Sequence, residues 1–443
     1  MRFLFTLFSL VLLLPVSNQA QLNTISFQEF TLDNGLHVIL HQDKSTPIVA
    51  VSVMYHVGSK NENPERTGFA HFFEHLMFEG SDNIGRGEYD KYIQNAGGTL
   101  NANTSWDRTY YYEILPSNQL ALGLWLESER MLHAKVDEKG IETQRQVVKE
   151  ERRQRVDNQP YGSLLEETFK RAYQQHPYKW PVIGSMAHLE AAEEKDYQQF
   201  YKDFYVPNNA VLSIAGDIDF EDAKTLITKY FAPIPKSAQA VYRPRTIEPQ
   251  LTAEVRDTIY DNIQLPAVIQ AYRIPAQGTK DYYAVDMLSR VLSSGESSRL
   301  YRALVDEQQK AVFVGNFPLA MEDPGLTLSM GMANMGVDIS DLERSIDTEV
   351  SKLQSDLITE TEFEKLRNQI EAEFVTSNSR VAGIAESLAT YYMFFGDANL
   401  INSEINRYLA VTREDIKAAA NKYLVKSNRV VLHYLPKSQE NKS

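Results

Sequence analysis

No cysteine occurs in the 443 residues, so neither a disulfide framework nor a lipid-bearing cysteine behind a leader is available to this chain. Basic residues are also in deficit, with 45 Lys and Arg against 59 Asp and Glu for a net charge of −14. They form no block or stripe, which excludes nucleic acid as a partner. Beyond the first 20 residues no apolar run is long enough to cross a bilayer, so no membrane span is expected in the mature chain. Those first residues read differently: Arg2 gives a positive start, Phe3 to Leu14 is a short apolar run ended by Pro15, and Ala20 offers a small-residue exit. Residues 1–20 are therefore expected to be a signal peptide. The protein would be exported, to the periplasm in a Gram-negative source and otherwise to the medium.

What is present is ample for folded domains, since 43% of the residues are hydrophobic. Alternating patterns from Gln28 to His56 predict strands, with Asn34-Gly35 as a hairpin turn. Helices follow around residues 67–80 and 88–95, then strands over 99–104 and 108–115, and long helices over 119–133 and 138–155. A helix near 197–204, a buried strand from Ala210 and a helix over 221–231 close this half. Pro235, Pro244 and Pro249 mark a linker over 236–250. Beyond it the pattern repeats: Val136 to Glu151 lies over Ile358 to Glu373 without a gap, and the strand at Ala210 resembles Asn428 to Leu435. The expected fold is α+β, two homologous halves (21–235 and 251–443), each an antiparallel sheet with packed helices, together forming a clamshell.

The chemistry concentrates in Thr67 to Gly80, TGFAHFFEHLMFEG. His71 and His75, four residues apart on a helix, are turned only about 40° from one another and can reach one metal ion. Phe69, Phe72, Phe73, Leu76 and Met77 take the other face. A hydrolytic zinc needs a third protein ligand and an open position. The helix over 138–155 ends in Glu150 and Glu151; with Val147 and Val148 taken as its inward face, Glu151 falls near the centre and Glu150 is rotated about 110° away. Glu151 is thus the third ligand, and Gln144, on the same face, could hydrogen-bond a ligand. Glu74 would be the general base on the attacking water. Laying Gly295 over Gly80 places Asp286, Ser289 and Arg290 opposite His71, Glu74 and His75, so only the first half carries the motif.

His-x-x-Glu-His is the inverted zincin motif, and the chain resembles the pitrilysin/insulinase family of zinc metallopeptidases, in its two-domain bacterial and processing-peptidase branch. The resemblance runs through Gly35-Leu36, Thr67 to Gly80, Gly97 to Thr104, Val148 to Glu151 and Tyr205 to Asp217. It implies one zinc per chain on His71, His75 and Glu151, with Glu74 as base. It further implies that the strand around Asn101 and Ala102 is an open sheet edge to which a peptide substrate adds as a strand, with Tyr111 lining the same cleft. The family commonly has a glutamate at the position of Gln144.

A second departure concerns the C-terminal half. Active single-chain relatives carry an Arg and a Tyr seven residues apart; matching Ser297-Ser-Arg-Leu-Tyr301 places Val305 and Val312 there, with Arg302 the nearest basic substitute. Relatives divided in this way take the Arg/Tyr pair from a homologous subunit that lacks the zinc motif. The expectation is a zinc endopeptidase of peptides or unfolded polypeptides working as a heterodimer with such a subunit, a homodimer being the other arrangement. The competing expectation is a non-catalytic peptide-binding or scaffold subunit of the same fold.

Overall fold

Residues 24–437 are described by a computed structural model of the chain, and the leader expected over residues 1–20 lies outside them. The first half contains strands β1 (Gln28–Thr31), β2 (His37–Gln42), β3 (Ile48–Tyr55), β4 (Thr99–Thr104), β5 (Thr109–Pro116) and β6 (Ala210–Gly216). Its helices are α1 (Phe69–Leu76), α2 (Tyr89–Asn95), α3 (Leu120–His133), α4 (Glu138–Arg152), α5 (Leu164–Ala172), α6 (Met186–Ala191), α7 (Glu194–Phe204) and α8 (Phe220–Phe231). The second half contains β7 (Val255–Asp261), β8 (Ala267–Arg273), β9 (Ala311–Pro318), β10 (Leu326–Ala333) and β11 (Arg429–Pro436). With them run α9 (Lys280–Ser293), α10 (Ile339–Ser355), α11 (Glu360–Ser377), α12 (Val381–Phe395), α13 (Leu400–Leu409) and α14 (Arg413–Tyr423). The expected linker falls inside an irregular stretch, 232–254.

The repeat read from the sequence is a repeat of topology. The first sheet runs β1-β2-β6-β3-β5-β4 and the second β7-β11-β8-β10-β9, so the last strand of each half inserts between an earlier pair. Each sheet is antiparallel except at that insertion, where β6 runs parallel to β2 and β11 parallel to β7. Helices α4 and α11 begin at Glu138 and Glu360, residues that the ungapped alignment pairs. In α9, the counterpart of α1, Asp286 and Arg290 form an ion pair at 2.9 Å where the alignment sets the two histidines.

Both faces of the central strands are apolar, and each face has a different cover. Along β3, Val49, Val51, Val53 and Tyr55 join the core beneath α1, α3 and α8, while Ala50 and Met54 point the other way. That second face is covered from the opposite half of the chain, by Val381, Ile384, Ala385, Leu388 and Ala389 of α12. The exchange is reciprocal: Phe169 and Ala172 of α5 pack on Ile269 and Ala271 of β8 and Leu432 of β11. A polar junction adds to it. Lys60, buried to 3% exposure, meets Asp107 at 2.8 Å and also Glu322 and Asp323 from the second half. Parting the halves of the clamshell would therefore strip two apolar faces and a buried ion cluster at once.

Candidate metal centre

Helix α1 starts at Gly68, whose φ of +97° and close approach to the backbone at Ile183 and Gly184 leave no room for a side chain. The buried carboxyl of Glu62 accepts from the amides of Gly68 and Ala70, each at 2.8 Å, and so supplies capping acceptors at the helix N-terminus. Phe69, Phe72, Phe73, Leu76 and Met77 are all buried, as the pattern predicts. Phe69 stacks on Tyr197 with ring centroids 4.5 Å apart, and Phe73 packs on Phe200 and Tyr205. With one face fixed this way, the opposite face presents His71, Glu74 and His75 to α4.

His75 Nε2 lies 3.1 Å and His71 Nε2 3.5 Å from the same oxygen of Glu151, Oε2. One ligand atom from each of the three residues falls within 4.8 Å of the others. The Glu151 side chain is 14% exposed, whereas Glu150 is 53% exposed and pairs with Arg153 at the surface. The inward line of α4 is Ile141, Gln144, Val148 and Glu151; Val147 does not belong to it and stands 44% exposed. It lies about 100° round from Val148, beyond Glu151. Glu151 nevertheless keeps its place at the site. Its second oxygen is held by Arg155 at 2.6 Å.

Electrostatics prepare the same atoms for a cation. Burial, followed by the charge of His75, brings the His71 pKa down to about 4 against the attraction of Glu151, so its imidazole is neutral. Burial acts to raise the Glu151 pKa, but the approach of His75 and the charge of Arg155 outweigh it and the carboxyl titrates below its ordinary value. Glu151 Oε2 and His71 Nδ1 are buried without a hydrogen-bond partner. An acceptor oxygen converging with two imidazole nitrogens suits a divalent metal, and two nitrogens with one carboxylate oxygen suit zinc. Glu74 sits beside this set, its pKa raised by burial against the hydrogen bond that Thr104 Oγ1 donates to Oε2 at 2.6 Å.

Among the described residues strand β4 is the open edge of its sheet, paired on one side only, with β5. It carries Asn101, exposed, and Ala102, half-buried, and Asn101 Oδ1 accepts from the Ala102 amide at 2.8 Å. Tyr111 corrects the expectation that it lines the cleft. It is fully buried under α1, donating from its hydroxyl to the Phe73 carbonyl at 3.1 Å, with the Arg130 guanidinium 4.4 Å from its ring. Gln144 is a second correction. Its amide donates to Glu79 at 2.6 Å rather than to a ligand, because two helical turns separate it from Glu151 by about 10 Å. Glu79 is shared with Arg86, which reaches on to Asp137.

Thr104, Glu62 and Arg155 were not singled out by motif. Thr104 shares the strand face of Ala102 two residues on and was recoverable, whereas Glu62 lies six residues before the N-cap Gly68 and carries no local capping signal. In the second half Val305 is half-buried against that half's core, Val312 is 48% exposed on β9, and the Arg302 side chain is 65% exposed.

The family described as Insulinase (Peptidase family M16) matches residues 37–185, and the Peptidase M16 inactive domain matches 192–370. The chain belongs to the M16 peptidase family. It is 32% identical to the zinc protease PqqE of Helicobacter pylori over 94% of each chain. It is 25% identical to a probable mitochondrial-processing peptidase subunit beta of Schizosaccharomyces pombe, over 89% of this chain and 88% of that one. A crystal structure of a protease from Helicobacter pylori superposes with a TM-score of 0.89 at 30% identity, over 93% of this M16 chain and all of the other. The periplasmic protease PqqL of Escherichia coli shares the fold at 17% identity and a TM-score of 0.76; this chain spans 94% of itself but 48% of PqqL.

Proposed function

We propose that this M16 protein is a zinc-dependent endopeptidase of peptides or unfolded polypeptides, with His71, His75 and Glu151 as ligands and Glu74 as general base. The observation that carries the reading is the convergence of three metal-donor atoms within 4.8 Å beside the half-buried carboxyl of Glu74. Zinc bound there would supply Lewis acidity, polarising the scissile carbonyl and acidifying water. The chain's own residues do the rest. Among the described residues Glu74 Oε1 accepts no hydrogen bond, so it is the oxygen that takes the proton of the attacking water, while Thr104 holds Oε2. The one-sided edge of β4 offers unpaired backbone groups, and an extended peptide added there lies beside Glu74 with Asn101 and Ala102 along its path.

We infer further that a homologous subunit lacking the zinc motif supplies the Arg and Tyr whose positions here are Val305 and Val312, so that the working enzyme is a heterodimer, or a homodimer if a second copy takes that place. That PqqL is about twice as long as the matched region supports a need for two such units. The valines also favour the second reading, a peptide-binding subunit without turnover. Export to the periplasm is proposed from the leader pattern; no described helix is long and apolar enough to cross a membrane. The test is metal content and cleavage of a mixed peptide library by the purified chain, alone and with any co-purifying homologue. The reading expects one zinc per chain, internal cuts abolished by a chelator, and a higher rate with the companion. Stoichiometric zinc with no cleavage in either preparation would leave the binding subunit, and cleavage indifferent to chelation would exclude both.

A further inference from the structure

Glu74 is attached to the substrate strand by one contact. Thr104, the last residue of β4, donates from Oγ1 to Glu74 Oε2 at 2.6 Å, a charge-assisted hydrogen bond at the short end of the range. Three features fix where that hydroxyl lies. A threonine in a strand has a restricted χ1, so its hydroxyl direction follows the backbone of β4 rather than rotating freely. The turn after it is closed by Ser105, whose amide donates to the Arg108 carbonyl at 2.8 Å and whose Oγ accepts from the amides of Asp107 and Arg108. The turn is also gripped from below, where the amides of Ser59 and Lys60 donate to the carbonyls of Ser105 and Trp106 at 3.2 and 3.0 Å. The other end of β4 is tied in as well: the Gly98 amide donates to the Ile93 carbonyl at 2.9 Å, and Thr99 pairs with Ile114 of β5.

We propose that Thr104 is a positioning residue that holds the orientation of Glu74 from the anchored end of the edge strand. This deepens the endopeptidase reading and rests on it. The anchored turn after β4 sets the Thr104 hydroxyl. That hydroxyl pins one carboxylate oxygen and turns the other toward the attacking water. The base is thus aligned before a peptide reaches the edge.

The test compares Thr104→Val, which keeps shape and loses the donor, with Thr104→Ser, which restores it, in the full chain with its companion where one co-purifies. Each is also made in the Glu74→Gln background. The expected result for Thr104→Val is a fall in kcat of about 10- to 100-fold with KM within about twofold. Zinc stoichiometry, thermal midpoint and the Kd of an uncleaved peptide for the metal-free protein should be unchanged. Thr104→Ser should recover most of kcat, and Thr104→Val should cost nothing further once Glu74 is glutamine. The positioning role is overturned if Thr104→Val turns over within twofold of wild type, if serine fails to rescue, or if the loss appears as lost zinc, lost peptide affinity or lost fold. Should the valine variant not fold, Thr104→Ala serves the same comparison. If instead wild type and Glu74→Gln cleave alike, it is the base assignment that fails, and the two failures are separate results.

Discussion

Leu388 is the place to ask whether the two halves act as one body. It is fully buried on α12, in the second half of the chain, within the cluster that includes Ile39, Ala50, Met54, Val211 and Ala215 of the first sheet. Leu388→Ala removes about three methylene equivalents from a close-packed junction, which costs about 2 to 5 kcal/mol. For a chain of this length the unfolding entropy at the midpoint is about 0.9 kcal/mol/K, so a loss of about 3 kcal/mol lowers Tm by about 3 °C. A single shifted transition is expected, seen alike by a first-half and a second-half probe. Amide exchange should quicken in β3 and β6, whose outer face α12 covers, as well as in α12 itself. Two resolved transitions, with only the second-half one shifted and β3 and β6 protection intact, would refute the reciprocal exchange as the link between the halves. The point bears on function, because a cleft that cannot open within the chain must open between chains.

Two further outcomes follow from the ion pairs and the ligand set. Glu151→Gln should weaken zinc affinity by more than about 100-fold in chelator competition, whereas Glu150→Gln, at a carboxylate 53% exposed, should leave it unchanged. At the polar junction, burial opposes ionisation of Glu322, but the hydrogen bond and charge of His56 and then Lys60 prevail and lower its pKa from 4.5 to about 2. A carboxyl with a depressed folded-state pKa contributes stability that is fully present above its unfolded value and is lost as pH falls toward the folded one. The urea midpoint should therefore drop between about pH 4.5 and about pH 2, and Glu322→Gln should flatten that part of the profile.

Local periodicity carried the helix α1, its apolar face and the choice of Glu151 over Glu150, because helical phase alone separates adjacent residues. It misplaced Val147, since an apolar residue on an amphipathic helix is often exposed and phase does not say where a face ends. Tyr111 was misassigned for a related reason. Strand alternation says that Tyr110, Tyr111 and Tyr112 point to alternate faces, but which face lies under α1 depends on tertiary packing. Gln144 lay on the correct face at the wrong height. The α12 exchange was not legible at all: Val49-Ala50-Val51 and Val53-Met54 say that both faces of β3 are covered, and nothing local says that the second cover comes from residues 381–389. Helices α5 and α6 fall in a stretch from which no element was read, and α5 supplies the other half of the exchange.

The central claim is that this site holds zinc and that Glu74 moves the proton, and Glu74→Gln measured for both on one preparation tests it most directly. One zinc per chain, an unchanged fold, and a kcat lowered by about 100- to 10,000-fold on a peptide that the wild-type protein cuts are expected. A glutamine variant that keeps its zinc and cleaves within a few-fold of wild type would contradict it.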